Sequence, residues 1–295
     1  MTTVGVLAHS AKTMGGGLEE FRQVLSHHGV SDPLWYEVKK SRFIPARARD
    51  LVAAGADLIF VWGGDGTVQQ AVDALVGAPV SVAIMPAGTA NLFATNIGIP
   101  KDLPQAVDIG LHGARREFDL GKLNGEHFCV MAGAGIDAFM LRDADAGLKD
   151  KVGRIAYAWT GAKNADRAPF KTTIDVDAKR WFKGEVSCVL IGNVGDVMGG
   201  LTAFPDADPH DGLLNIGVVT ADGLLDWART LGRAAIGDVS GSPFVETTVG
   251  RAFDIRLSER TPYEVDGSDR KGTKRLKVKV KPSSITICVP EVTAP

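Results

Sequence analysis

Three cysteines, Cys129, Cys188 and Cys288, are all that this 295-residue chain contains, and no two lie close in sequence. No C-x-x-C pair, disulfide framework or zinc-ligand spacing is available. Each cysteine sits inside an apolar, strand-like run, as buried free thiols do. Charge of one sign is also lacking. With 33 Lys and Arg against 35 Asp and Glu, the formal net charge is -2. No global positive field can neutralise phosphates, which excludes bulk nucleic-acid binding. No apolar run approaches the length of a membrane span. Met1 to Ala8 lacks both the basic start and the long apolar core of a signal peptide. The expectation is a cytoplasmic protein with no transmembrane segment, for which peripheral contact with a membrane surface stays open. Internal repeats and flexible Pro- or Ser-rich linkers are absent too.

What is present is a chain able to bury a core: 45% of its residues are hydrophobic. Its length suits one large domain or two medium ones. Glycine is in excess, 35 of 295 residues, roughly 12% against a usual level of about 7%. With no collagen period and no low-complexity tract, it must serve locally, in tight turns or where backbone approaches a ligand.

The first ~115 residues alternate strand and helix patterns, which predicts a parallel sheet flanked by helices. Val4–Ala8, Trp35–Val38, Asp57–Trp62 and Val80–Met85 have strand character, whereas Leu18–His28, Ala46–Ala54 and Val68–Val76 have helical spacing. The rhythm changes near Glu117. Strand-like runs then dominate, at Glu126–Ala132, Phe170–Val176, Glu185–Gly192, Leu213–Val219, Val245–Val249 and Ala252–Leu257. Helical inserts around Gly153–Lys163 and Leu224–Ile236 interrupt them. The pattern predicts a second, mostly antiparallel β domain starting near residue 120.

Two loops carry candidate chemistry. Gly63-Gly64-Asp65-Gly66-Thr67 joins a buried strand to a helix, where glycines admit phosphate oxygens and the helix N-terminus directs donors at them. It is not a Walker A loop, since no Gly-Lys-Ser/Thr follows; the alternative is an ordinary tight turn. Pro86-Ala-Gly88-Thr89-Ala-Asn91 follows the next strand and so falls at the same sheet edge, where open α/β sheets place ligands. Thr89 could instead cap a helix.

Other signals are weaker. Gly133-Ala-Gly135-Ile-Asp-Ala138 matches G-x-G-x-x-A, yet no strand ending in an acidic residue follows, which argues against a dinucleotide fold. The six histidines do not cluster at metal or triad spacing, and most are expected at the surface. Asp206, Asp208, His210 and Asp211 form an acidic loop suited to a hard cation or to plain solvation. Val265-Asp266-Gly267-Ser268 is a turn signal first and a catalytic candidate second. Leu224, Ala228, Leu231 and Ala235, with Trp227 nearby, form an apolar stripe that fits either a membrane or a packed helix. Lys277, Lys279 and Lys281 alternate with apolar residues, preceded by Arg270, Lys271, Lys274 and Arg275. That strand face would suit anionic lipid or phosphate, or simply water.

Taken in order, these loops, with Asp119-Leu-Gly121, Ala132–Ala138, Gly153–Tyr157, Asp211–Leu214 and Val265–Gly267, resemble the diacylglycerol kinase catalytic-domain family. Gly-Gly-Asp-Gly-Thr alone is shared with NAD kinases; the later motifs favour the lipid branch. The resemblance covers essentially the whole chain. It implies an NAD kinase-like α/β nucleotide domain over 1–118, joined by the C-terminal 283–295, and a β-sandwich lipid or substrate domain over 119–282. It also implies transfer of the ATP γ-phosphoryl group to a lipid hydroxyl such as that of diacylglycerol. ATP would lie over Gly63, Gly64, Asp65, Gly66, Thr67, Val68, Gln69, Gln70, Gly88, Thr89 and Asn91. Magnesium would be held at Asp119 and, in a second structural site, by Asp211 and the Leu213 carbonyl. Asp65 is the implied catalytic aspartate. The implied partner is a lipid at a membrane surface, and a homodimer is left open.

The chain departs from the family pattern at four places. His9-Ser10 stands for Asn-Pro, and Gln69-Gln70 for Asn-Glu. Leu92 replaces an acidic metal ligand, and Ser268 replaces the glutamate of Asp-Gly-Glu, the family's proposed base. Serine cannot accept that proton at neutral pH. Either Asp266 takes the role, or the protein is a catalytically impaired relative that binds nucleotide or lipid. A sphingoid base or NAD is the alternative acceptor.

Overall fold

The computed structural model describes residues 2–135, 169–198, 201–221, 226, 233 and 242–291. The helical inserts expected at Gly153–Lys163 and Leu224–Ile236, the Leu224 stripe, and the Gly153–Tyr157 motif lie outside the described residues or nearly so. Two compact units emerge, Met1–Leu120 with Pro282–Pro295, and Gly121–Lys281.

The first unit is the α/β half that the alternating pattern predicts. Its elements are β1 (Val4–His9), α1 (Gly17–His27), β2 (Leu34–Val38), α2 (Ile44–Ala53), β3 (Leu58–Gly63), α3 (Asp65–Leu75), β4 (Ser81–Pro86), α4 (Leu92–Asn96), α5 (Leu103–His112) and the first part of β5 (Ala114–Leu123). Every residue of β1 and of β3 is buried, as strands covered on both faces must be. The parallel order is β2-β1-β3-β4, and the chain's last strand extends it: Thr286 and Ile287 pair in parallel with Ser81 and Val82. From β1 the chain moves to β2 on one side, and from β3 to β4 on the other. The switch point between β1 and β3 therefore opens at their carboxyl ends, where the Gly63–Thr67 loop begins.

Aromatic packing fixes the helices on this sheet. Phe21 of α1 stacks on Trp62 of β3 with centroids 5.3 Å apart and meets Phe60 edge-on at 5.7 Å. Helix α5 comes so close to the sheet that a Cβ on Gly110 would sit 2.3 Å from the Phe60 ring and 2.9 Å from the Ala83 methyl.

The second unit is antiparallel. After β6 (Glu126–Phe128) and β7 (Met131–Ala134) come β8 (Phe170–Val176), β9 (Lys179–Val186), β10 (Cys188–Gly192), β11 (Asp196–Met198), β12 (Leu201–Thr202), β13 (Leu214–Val219), β14 (Val245–Gly250), β15 (Ala252–Val265) and β16 (Ser268–Val289). Strand β15 serves two layers. Its first half pairs with β8 and its last three residues with β7, and register shifts between Arg256, Thr261 and Tyr263 turn the corner. The core between the layers includes Phe170, Ile174, Val189, Ile216, Phe253, Ile255, Leu276 and Val278. Alternation of Phe253, Ile255 and Leu257 with polar neighbours thus marks a half-buried strand, as its period-2 pattern predicts.

Among the boundaries that differ from the sequence patterns, three have a local cause. Helix α3 starts at Asp65 rather than Val68, because the Gly64 carbonyl already accepts from the N–H groups of Thr67 and Val68. Glu126–Ala132 is two strands, interrupted at Cys129 and Val130, whose N–H groups go to the Asp266 carboxylate. Glu185–Gly192 breaks at Ser187, where the chain leaves β9 for β10.

Gly110→Ala is expected to lower the unfolding free energy by about 1–3 kcal/mol, the usual cost of forcing atoms into a packed core. Chemical denaturation compared with the wild type measures it.

Candidate functional site

At the carboxyl edge of the parallel sheet the two glycine loops meet backbone to backbone. A Cβ on Gly88 would lie 2.4 Å from the Gly64 Cα, and one on Gly64 would lie 3.1 Å from the Gly88 Cα. Part of the glycine requirement is therefore this crossing of chains. Asn91 holds the second loop in shape from inside. Its Oδ1 accepts from the Gly88 N–H at 2.8 Å, and its Nδ2 donates to the carbonyls of Gly88 and Pro86 at 2.9 and 3.2 Å. Asn91 is itself in the left-handed region, at φ 52°, which asparagine tolerates better than most residues.

The residues expected around a nucleotide divide into two groups. Thr67, Val68 and Gln69 have buried side chains, and Thr67 packs under Gly63, where a Cβ would meet it at 2.4 Å. The Thr67 hydroxyl is thus part of the packing. Gly64, Asp65, Gly66 and Gln70 are half-buried and Thr89 is exposed. Thr89 does not cap α4, whose N-cap position is Asn91. No side chain caps α3 either, so its first-turn N–H groups lack a capping acceptor, although that of Asp65 meets its own carboxylate. An uncapped helix start between glycines fits a phosphate.

Asp65 faces the backbone of α4: its Oδ1 accepts from the Phe93 N–H at 3.4 Å. Burial pushes its carboxyl above the ordinary aspartate value, and the N–H groups of Phe93, Leu92 and Asn91 oppose that rise. One cation that the sequence motifs do not mark joins the loop: Lys101 Nζ donates to the Gly88 carbonyl at 3.0 Å. Asp119, 2% exposed on β5, accepts at Oδ1 from the Ser283 N–H at 2.8 Å. Its carboxylate thereby ties β5 to the returning end of the chain.

In the second unit, Asp266 and Gly267 both have positive φ, 44° and 72°. A two-residue type I′ hairpin turn between β15 and β16 requires this. The Asp266 carboxylate accepts from three backbone N–H groups, Cys129 at 2.7 Å, Val130 at 2.9 Å and Met131 at 3.0 Å. This corrects the expectation of Asp266 as a substitute base: both oxygens are committed to holding the start of β7. Asp211 lies in an exposed turn, where its Oδ1 accepts from the Leu213 N–H at 2.8 Å and Asp208 Oδ1 accepts from the His210 N–H at 3.0 Å. Of the basic residues, Arg275 donates two hydrogen bonds to the Asp254 carboxylate at 2.7 Å each, and Arg270 donates to Glu126. Lys277, Lys279 and Lys281 are exposed.

Glu264 has no motif to announce it. Its neighbours Tyr263 and Val265 face the core, so it occupies the opposite face of β15, 2% exposed, with no hydrogen-bond partner on Oε2. Burial, then the charges of Asp266 and Asp269, push its carboxyl up to about 8.

Residues 8–123 match the diacylglycerol kinase catalytic domain, and residues 130–289 match the YegS C-terminal NAD kinase beta sandwich-like domain. The chain belongs to the diacylglycerol kinase family. A diacylglycerol kinase of Bacillus subtilis is 29% identical over 75% of this chain and 74% of its own. A Pseudomonas aeruginosa protein described as a probable lipid kinase, YegS-like, is 30% identical over 82% of this chain and 79% of its own. In structure, a diacylglycerol kinase of Bacillus anthracis superposes with a TM-score of 0.80 at 22% identity, covering 99% of this chain and 98% of that one. An NAD kinase of Archaeoglobus fulgidus, solved in complex with ATP, gives 0.56 at 10% identity, covering 99% and 94%. These neighbours establish the NAD kinase-like fold, with a parallel N-terminal sheet and a β-rich C-terminal domain.

Within this family member the cysteines are buried thiols, and burial pushes Cys288 up to about 11. The histidines follow their spacing only in part. His27, His28, His112 and His210 are exposed and His9 and His127 buried, but His28 and His112 come together in space with Asp108.

Gly88→Ala is expected to push the two loops apart and weaken nucleotide binding by at least about tenfold, a loss of about 1.4 kcal/mol. Calorimetric titration with ATP reads it. For Glu264 the folded state keeps a proton that the unfolded chain releases above the ordinary value of 4.5. Its contribution to stability is therefore full below pH 4.5 and is lost as pH rises to about 8. Glu264→Gln removes that slope: its melting temperature relative to the wild type rises from pH 4.5 to 8, and parallel pH curves would refute the shift.

Proposed function

We propose that this protein is an ATP- and magnesium-dependent lipid kinase that transfers the γ-phosphoryl group to a hydroxyl of a diacylglycerol-like lipid. The observation that carries this reading is the uncapped start of α3, set between Gly64 and Gly88 in a chain of the diacylglycerol kinase family. In this reading the first-turn N–H groups of α3 hold phosphate oxygens, and Lys101 adds a positive charge beside Gly88. Asp65 and Asp119 would hold magnesium, with Asp211 and the Leu213 carbonyl as a second, structural site. Bound magnesium supplies charge neutralisation at the transferring phosphoryl group. The protein's own share is positioning, since little covalent chemistry falls to it in phosphoryl transfer.

Its acceptor would reach it from a membrane surface, and the protein would work in the cytoplasm as a peripheral visitor. Among the described residues no helix is long and apolar enough to cross a membrane. The exposed Lys277, Lys279 and Lys281 would favour an anionic surface.

A second reading has its own observation. Ser268 stands at the family's proposed base position, and Asp266 is committed to the backbone of residues 129–131. On that reading the protein binds nucleotide or lipid without turnover.

Incubation with γ-labelled ATP and a panel of diacylglycerol, sphingoid base, ceramide and NAD decides between them. The kinase reading expects label in the lipid arm, reduced by about 10²-fold or more in Asp65→Asn. ATP binding with no labelled product from any acceptor sinks it. Ser268→Glu then separates a silent relative from a slow enzyme. Restoring a base is expected to raise turnover by about 10²–10⁴-fold, whereas unchanged, efficient wild-type turnover would eliminate the silent relative.

A further inference from the structure

Away from the glycine loops, the ends of α1 and α5 bring together three side chains that no motif connects. His28 is the C-cap residue of α1, its N–H directed to the carbonyls of Val24 and Leu25. Asp108 and His112 lie four residues apart on α5, hence on one face. His112 Nδ1 stands 2.8 Å from Asp108 Oδ1, and the His28 and His112 rings are 5.6 Å apart. One ligand atom from each of the three residues lies within 4.8 Å of the others.

Helix α5 does not need these side chains for its own termination. The carbonyls at the end of α5 are taken by Arg115, which donates to Gly110 at 2.9 Å, Leu111 at 3.2 Å and Gly113 at 2.6 Å. The Asp108–His112 pair is exposed, 61% and 62% by side chain. A pair so open to water is worth little as an ion pair, and it gives no reason for a second imidazole beside it.

Two imidazoles and one carboxylate form a donor set for a borderline transition metal; magnesium and calcium prefer oxygen alone. Zinc takes nitrogen at about 2.0–2.1 Å and carboxylate oxygen at about 2.0–2.2 Å in tetrahedral geometry, which spaces ligand atoms about 3.3–3.5 Å apart. The ligand atoms lie within 4.8 Å of one another on exposed side chains, so the contraction to that spacing is about 1 Å. We propose that His28, Asp108 and His112 form a zinc site that clamps the end of α1 to the end of α5, with its fourth position open to water. The site is independent of lipid kinase activity.

Calorimetric titration with zinc chloride tests it, with excess magnesium present to fill oxygen-only sites. The wild type is expected to bind one zinc per chain saturably and to melt at a higher temperature with zinc than without, because a ligand of the folded state stabilises it. His28→Ala/His112→Ala should weaken zinc binding by at least about tenfold and abolish the melting shift. Asp108→Asn should weaken binding to a smaller extent. His27→Ala/His210→Ala, which alters two exposed histidines outside the proposed ligand set, should bind like the wild type. All variants lie at the surface, and far-ultraviolet circular dichroism verifies that each is folded. Absence of a saturable one-to-one site, or equal zinc binding by the His28/His112 variant, overturns the proposal.

Discussion

The contact between Gly64 and Gly88 is the constraint on which the candidate phosphate site depends. Two loops from neighbouring parallel strands can cross at Cα distance only where neither carries a Cβ. That crossing sets where α3 begins, keeps the helix start free of a capping side chain, and seats Asp65 against the first N–H groups of α4. Asn91 and Lys101 then secure the second loop through its own carbonyls.

In the second unit, the carboxylate of Asp266 plays a corresponding part. Three charge-assisted bonds to backbone N–H groups, from residues more than a hundred positions earlier, pin the start of β7 beside the hairpin of β15 and β16. The tight turn itself comes from positive φ at Asp266 and Gly267. A conspicuous acidic residue thus proves to be architectural, while Glu264, two positions away and without any motif, is the buried carboxyl left with an unpaired oxygen.

Membership of the diacylglycerol kinase family therefore leaves two chemistries to weigh. On the kinase reading the glycine loops keep the form of a phosphate site, whereas Ser268 stands where the resemblance implies a glutamate base and Asp266 is bound to backbone. Charge on the C-terminal strand is also less than the count suggests, since Arg270 and Arg275 are paired with Glu126 and Asp254.

Short-range physics made much of this legible from the amino acids alone. Continuous apolar runs in β1 and β3, the period-2 alternation at Phe253–Leu257 and the glycine loops after β3 and β4 each report on neighbours within a few residues. From them came the α/β half, the β half and the phosphate loops. The tertiary structure alone decided which polar groups are free. That Asp266 holds backbone, that Lys101 reaches Gly88 and that His28 meets Asp108 and His112 all depend on contacts between residues apart in sequence. A hydrogen bond of that kind leaves no periodic trace in the chain, because its partners are brought together only by the closing of the sheet.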